Sequence, residues 1–408
     1  MRNTDWIKVP EAIYALRRDI HRHPELAFEE QRTSDLIACV LESWGLKVHR
    51  GLAGTGVVGI LRCGTGNMSI GFRADMDALP VQELNQFDYA SVHEGKMHAC
   101  GHDGHCAMLL AAAFELARTR RIDGTLYFIF QPAEESDAGA RRMIEDGLFE
   151  LFPMDAVFGM HNWPGLGAGK FAVHPGAMMA SDTEFRIRLF GKGGHAALPQ
   201  QCIDPLQPLM HIAQAMQSII TRNLDTQDPA VISVTHIHSG SDESLTVIPD
   251  EAWLGGTFRA FSRGAMSLIE MRIREIASSV AEAFGCRVEA LFKSDYPPLI
   301  NHPSETNLCI EVLRRLLGEE QVITDGKPTM AAEDFAHMLE HKPGCYVFIG
   351  NGDGTHRGIG HGPGPCVLHN ASFDFNDDIL PIGATYWVRL AETWFSDGTL
   401  KKPLEQQR

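Results

Sequence analysis

Residues 97–117 read MHACGHDGHCAMLLAAAFELA, a polar stretch dense in histidine and cysteine that runs straight into an apolar helix. Asp103 and Gly104, followed by CAMLLAAAFELA, have the character of a helix start. Cys100 and His102 therefore sit on a sheet-to-helix loop, where α/β proteins build their sites. Working outward, the apolar runs VVGIL (57–61), MSIGF (68–72), LYFIF (126–130) and AVFGM (156–160) alternate with helical segments such as AGARRMIEDGLF (138–149). That order predicts an α/β layered domain on a largely parallel sheet up to about residue 180. Ahead of it, Ile13, Leu16 and Ile20, then Leu36, Ile37, Val40 and Leu41 before Gly45, recur at helical spacing.

From residue 183 the pattern changes. The strand DTEFRIRLF precedes a helix from Pro205 to about Arg222, with Leu206, Leu209, Ala213, Met216 and Ile220 on one face. Strands AVISVTHIH and AWLGGTFRAF follow, then a helix from the N-cap Ser262 to Phe284 with Gly285 as its stop, then the strand CRVEALF. This βαββαβ order is the split-βαβ, ferredoxin-like arrangement, complete in itself. Beyond the two prolines at 297 and 298, alternation resumes through YVFIG to a C-terminal helix PIGATYWVRLAETWF. The reading is one α/β domain, residues 1–182 plus 297–408, interrupted by a satellite domain at 183–296.

The chain has 408 residues, 44% of them hydrophobic and 22% charged, as expected of a folded protein with a sizeable core. Its 36 basic and 52 acidic residues give a net charge of -16 with no basic cluster, which argues against nucleic acid as a partner. The N-terminal stretch is charged throughout, and no window approaches 18 uninterrupted apolar residues, so a membrane partner is not expected and the location expected is the cytoplasm. Nine cysteines without a repeating spacing fit reduced thiols. Cys39 and Cys309 read as plain core residues, and Cys100 as the exception.

In an extended segment residues two apart share a face, so Cys100 and His102 can turn toward one point. Three more stretches bring metal-capable residues to strand ends or near them: Glu134 and Glu135 in LYFIFQPAEE, His161 in AVFGMHNWP, and His369 in PCVLHNASFDFNDD. Thiolate, imidazole and carboxylate together suit Mn²⁺, Zn²⁺, Co²⁺ or Ni²⁺ better than Ca²⁺ or Mg²⁺, and a thiolate has lone pairs enough to bridge two ions. Adjacent Glu134 and Glu135 point in different directions, so one can ligate while the other stays free as a base, although the pair alone also fits a solvated acidic corner. Asp75 and Asp77 are read as residues that could orient a ligating histidine from behind, Asp75 being the one chosen, since a capping role fits Asp77 equally well. His98, His105 and Cys106 are read as structural. Arg259 is a candidate for a substrate carboxylate, because a guanidinium grips it with two prongs, and a surface salt bridge explains the residue almost as simply. The glycine-rich run at 350–366, with His356 and His361, reads as a surface loop.

Taken together, MHACGHDGH, QPAEE, GMHNWP, GGHAALP, AAEDF and HNASFDFND, with RHPELAFEE and RADMDALP ahead of them, resemble the M20 metallopeptidase family in its amidohydrolase branch. The resemblance runs over nearly the whole chain in the same order. It implies a zinc-exopeptidase-like layered catalytic domain with an inserted ferredoxin-like satellite that mediates homodimerisation. It also implies two divalent metal ions on Cys100, His102, Glu135, His161 and His369, with Glu134 as general base and His195 of GGHAALP steadying the oxyanion. Where the family commonly has Asn-Val-Ile-Pro-Asp, this chain has Thr246 followed by Val247, Ile248, Pro249 and Asp250. That asparagine often faces the active site, so Thr246 is a candidate for the same contact through its hydroxyl. The implied activity is hydrolysis of the amide of an N-acyl amino acid such as hippurate. A dipeptide, or an N-acetyl or N-succinyl intermediate, is the alternative substrate, and a catalytically dead binding protein the non-enzyme alternative.

Overall fold

In the computed structural model residues 6–396 are described; residues 1–5, part of the charged N-terminal stretch, lie outside the described residues. Strand Ser69–Asp75 is buried at every position. It runs parallel to Gly124–Gln131 on one side and to Ala156–Pro164 on the other, and a strand inside a parallel sheet reads as a continuous apolar run. Gly344–Gly352 adds in parallel beyond Ala156–Pro164. The expected largely parallel sheet is more mixed at its margins. Lys47–Leu52 and Gly56–Cys63 form an antiparallel hairpin, because the short connection Ala53–Thr55 permits no crossover. Phe171–Ala172 also pairs antiparallel, with Gly344–Gly352.

The described residues divide into two compact units: residues 6–176, 300–327 and 337–396, and residues 177–299 with 328–336. Pro328–Ala336, which the sequence reading places with the larger domain, groups with the smaller unit, where the Thr329 and Ala331 carbonyls accept hydrogen bonds from Ala180 N at 3.0 Å each. This unit carries a four-stranded antiparallel sheet in the order Ala230–Ser239, Glu251–Ala260, Asp182–Phe190, Arg287–Tyr296, the ferredoxin-like order. Phe185, Ile187 and Leu189 alternate into a core shared with Leu209, Ile212, Met216, Ile269 and Ile273 of its helices. Ser262 caps helix Arg263–Ala283 by accepting from Ala265 N at 3.0 Å. The helix expected over Pro205–Arg222 is two, Leu206–Met216 and Ser218–Arg222, and its most buried face runs through Ile212 and Ile219 rather than Leu206 and Ala213.

In the larger unit, helix His102–Thr119 is buried along most of its length, and helices Glu11–Arg22 and Leu380–Ser396 pack against it. Gly104 is required there, since a Cβ would stand 2.3 Å from the Phe375 ring. Phe72 stacks on Trp387 at 4.6 Å. Cys309 is fully buried, but Cys39, expected in the core, is exposed: it falls off the buried stripe of Ile37, Ala38 and Leu41.

The buried stripe of Glu11–Arg22 contains two charged residues, Arg17 and His21, beside Ile13, Leu16 and Ile20. Arg17, fully buried, reaches Asp103 at 3.0 Å and Asp374 at 2.8 Å. His21 lies 2.8 Å from Asp103 and 3.2 Å from Glu83. Tyr89 and His361 of the glycine-rich loop both bond to Asp374, at 2.8 and 3.1 Å. Burial opposes the charge on His21, but Asp103 and then Glu83 outweigh it and push its pKa up to about 9. A folded pKa raised above an unfolded value near 6.5 stabilises fully below that value and stops contributing as pH rises through about 9, a loss on the order of 3 kcal/mol. Denaturation midpoints in chelator should therefore fall from about pH 7 to about pH 10 more steeply in the parent than in His21→Gln. Parallel curves would remove His21 from this account.

Candidate metal centre

Gly101 sits between Cys100 and His102 with φ 97°, and a Cβ there would stand 2.3 Å from Asn162 Oδ1. The two candidate ligands therefore converge through a left-handed glycine at the start of the helix, not through the pleat of an extended segment. Cys100, His102 and Glu135 each offer a ligand atom within 4.8 Å of the others. His161, on strand Ala156–Pro164, brings Nε2 to 3.3 Å from Cys100 Sγ. Its Nδ1 lies 2.6 Å from the Asn162 carbonyl, to which it donates, so the Nε2 lone pair faces the thiol. His369 brings Nε2 to 3.3 Å from Glu135 Oε1. Its backbone is left-handed at φ 63°, and its N–H is tied to the Ala99 carbonyl at 2.8 Å, which joins it to the loop that carries Cys100. All five predicted ligands thus come together, and Glu134, next to Glu135, is buried.

The donor set fits a cation. His102 Nε2 is a buried atom with no hydrogen-bond partner, an expensive arrangement for a protein group alone and the expected one for a metal ligand, and Glu135 Oε1 faces it at 3.8 Å with His369 Nε2 at 3.3 Å. Burial pushes the Cys100 thiol well up, and Glu135 and Glu134 push it further. Burial works against a charged His102, yet Asp75, Asp77 and Glu135 push it up to about 10. Excess carboxylate is the shared cause, and a divalent cation relieves it by displacing protons.

Behind the ligands, one sequence expectation is corrected. The carboxylate bonded to His102 Nδ1 belongs to Asp77, at 3.2 Å, whose other oxygen accepts from Glu135 N at 2.9 Å. Asp75 bonds His105 Nδ1 at 2.5 Å and Arg73 at 2.7 Å instead. The two aspartates, two residues apart, meet two histidines one helical turn apart, so each takes a different partner. His105 is bonded at its other end to Asn162, and Cys106 Sγ to the Asp75 carbonyl, so both side chains are engaged within the protein, and His105 stands in a second metal-capable group with Asp75, His102 and His161. Asp77 was visible in RADMDALP; only the crossing of the two pairs was not.

The remaining candidates lie in the smaller unit. His195 is exposed and pairs with Val247, while the Thr246 carbonyl accepts from Ala196 N at 2.9 Å, so Thr246 immediately precedes the strand that pairs with that of His195. His195 Nδ1 accepts from Ala197 N at 3.1 Å, which leaves Nε2 to carry the ring proton. Arg259 is paired with Asp182 at 2.9 Å and with the Met330 carbonyl at 2.9 Å, so its fork is engaged within the protein.

A buried thiol–imidazole–carboxylate cluster with a second carboxylate adjacent, set at the ends of parallel strands, is the site of a metal-dependent hydrolase. The chain belongs to peptidase family M20/M25/M40, whose family model matches residues 71–393. It is 39% identical to hippurate hydrolase of Campylobacter jejuni over 92% of this chain and 94% of that protein. It is 37% identical to thermostable carboxypeptidase 2 of Saccharolobus solfataricus, over 94% and 95%. A solved Bacillus subtilis structure, described as a dinuclear metal binding peptidase from the M20 family, superposes with TM-score 0.80 at 32% identity, covering 95% of this chain and 98% of that one. Because Asp77 holds both His102 and Glu135, Asp77→Asn should weaken metal binding about 10- to 100-fold in a chelator competition titration, and an unchanged affinity would return the orienting role to Asp75.

Proposed function

We propose that the protein hydrolyses the amide bond of N-acyl amino acids, hippurate-like substrates among them, releasing a carboxylate and a free amino acid. The observation that carries this reading is the pair Glu134 and Glu135: adjacent residues, one inside the cluster with Cys100 and His102 and the other outside that triad. Cys100, His102, Glu135, His161 and His369 would hold two divalent cations, which when bound supply Lewis acidity toward the scissile carbonyl and acidify water to a pKa of about 7.

Glu134 takes a proton from the attacking water. As the C–N bond breaks, it returns that proton to the departing amine. His195, with Nε2 as donor, steadies the oxyanion. Arg259 binds the substrate carboxylate by exchanging Asp182 for it, and Thr246 contacts the acyl group. The hippurate hydrolase and carboxypeptidase relatives favour one bond type: an amide whose nitrogen belongs to an amino acid with a free carboxylate. A peptide in place of the simple acyl group is therefore the second reading. The mixed donor set supports Mn²⁺, Zn²⁺, Co²⁺ or Ni²⁺. Among the described residues no helix is long and apolar enough to cross a membrane, and with the composition this supports a cytoplasmic enzyme. The ferredoxin-like unit, the family's satellite, supports a homodimer.

Amine release from a panel of N-acyl amino acids should stop on chelation and return with one of these metals. Glu134→Gln should keep its metal and lose nearly all turnover; substantial residual activity would remove Glu134 as the base. Arg259→Ala should raise KM at least about 10-fold with kcat little changed, as expected for loss of a charge-assisted contact to the substrate. An unchanged KM leaves Arg259 as no more than the partner of Asp182.

A further inference from the structure

The turn that carries Glu134 and Glu135 is strained. Ala133, Asp137 and Ala138 have φ of 56°, 62° and 52°, and none is glycine. The turn closes on itself, with Gly139 N donating to the Ala133 carbonyl at 3.0 Å, and a Cβ on Gly139 would meet Pro132 O at 1.8 Å. A left-handed backbone at such residues costs free energy and persists only where the surroundings enforce it.

Two buried carboxylates supply that enforcement at alternate amides. Asp77 accepts from Glu135 N at 2.9 Å, and Glu30 Oε1 accepts from Ala133 N at 2.9 Å, with Glu134 between them. Glu30 stands at the N-cap of helix Gln31–Ser43, where a side chain ordinarily accepts from its own helix, yet it makes no such bond. It reaches instead to a residue 103 positions away, and Thr55 Oγ1 donates to its other oxygen at 2.8 Å. Glu30 is fully buried and both of its oxygens are engaged.

We propose that Glu30 is a positioning residue for Glu134: by gripping the Ala133 amide it holds the left-handed turn that aims the Glu134 side chain. The proposal rests on reading Glu134 as the base. It separates Glu30 from Asp77, whose grip on Glu135 serves the metal.

The test uses the full chain loaded with metal and reads kcat, KM, metal affinity and the denaturation midpoint. Glu30→Ala should lower kcat about 10- to 100-fold, with KM and metal affinity within a few fold of the parent. Glu30→Gln, which keeps an acceptor oxygen, should retain most of the rate. Adding Ala133→Gly to Glu30→Ala should recover part of the lost kcat, because glycine adopts positive φ without steric cost and no longer pulls the turn out of shape. An unchanged kcat in Glu30→Ala overturns the proposal. So does a metal affinity that falls in step with kcat, or a double variant no faster than the single one. Should Glu30→Ala fail to fold, Thr55→Val, which frees one Glu30 oxygen, takes its place: a kcat loss at constant metal affinity supports the proposal and an unchanged kcat overturns it. Turnover retained by Glu134→Gln would instead remove the base assignment, a separate result.

Discussion

Arg17 is the constraint on which the larger unit turns. It is a fully buried guanidinium between Asp103, one residue after His102, and Asp374, five residues after His369. Two segments that carry candidate ligands are thus fastened from behind to one cation on the first helix. Removing that cation would leave Asp103 to His21 and Asp374 to Tyr89 and His361, in a core where an uncompensated charge is costly. The same helix contributes His21, so the acidic groups at the start of helix His102–Thr119 are neutralised from one side while the metal ligands face the other.

This arrangement explains why negative charge can accumulate at the site at all. Asp75, Asp77, Glu134 and Glu135 lie close together with little solvent, and behind the ligands Arg73 and His105 bond Asp75 while His102 bonds Asp77 through its inner nitrogen. His102 Nε2, without a hydrogen-bond partner, marks where a cation belongs.

Much of this was legible in the sequence, because ligand chemistry is carried by residue type: Cys100, His102, Glu135, His161 and His369 could be named from their chemistry and from the motif resemblance, and the structure brings them together. The satellite was legible because its helices and strands alternate with clear periodicity. What escaped the sequence depends on backbone direction or on pairing across distance. Gly101 gives no sign that its φ is positive. Asp75 and Asp77 look equivalent until their partners, His105 and His102, are seen to be crossed. Cys39 lies in an apolar helix but one position off its stripe. Glu30 reads as an ordinary helix-start acid, and only the fold reveals that its oxygens belong to Ala133 and Thr55.

The Arg17 to Asp374 bond spans 357 positions, and strand Gly344–Gly352 joins Ala156–Pro164 across the entire insertion. On the ribosome this sets an order. The four-stranded sheet of the smaller unit is complete once Tyr296 has emerged, whereas the larger unit must wait, with Arg17 and Asp103 already made, for the last tenth of the chain. A nascent chain arrested between Ala336 and Asp374 therefore holds every residue of the smaller unit while the larger one still lacks the partner of Arg17.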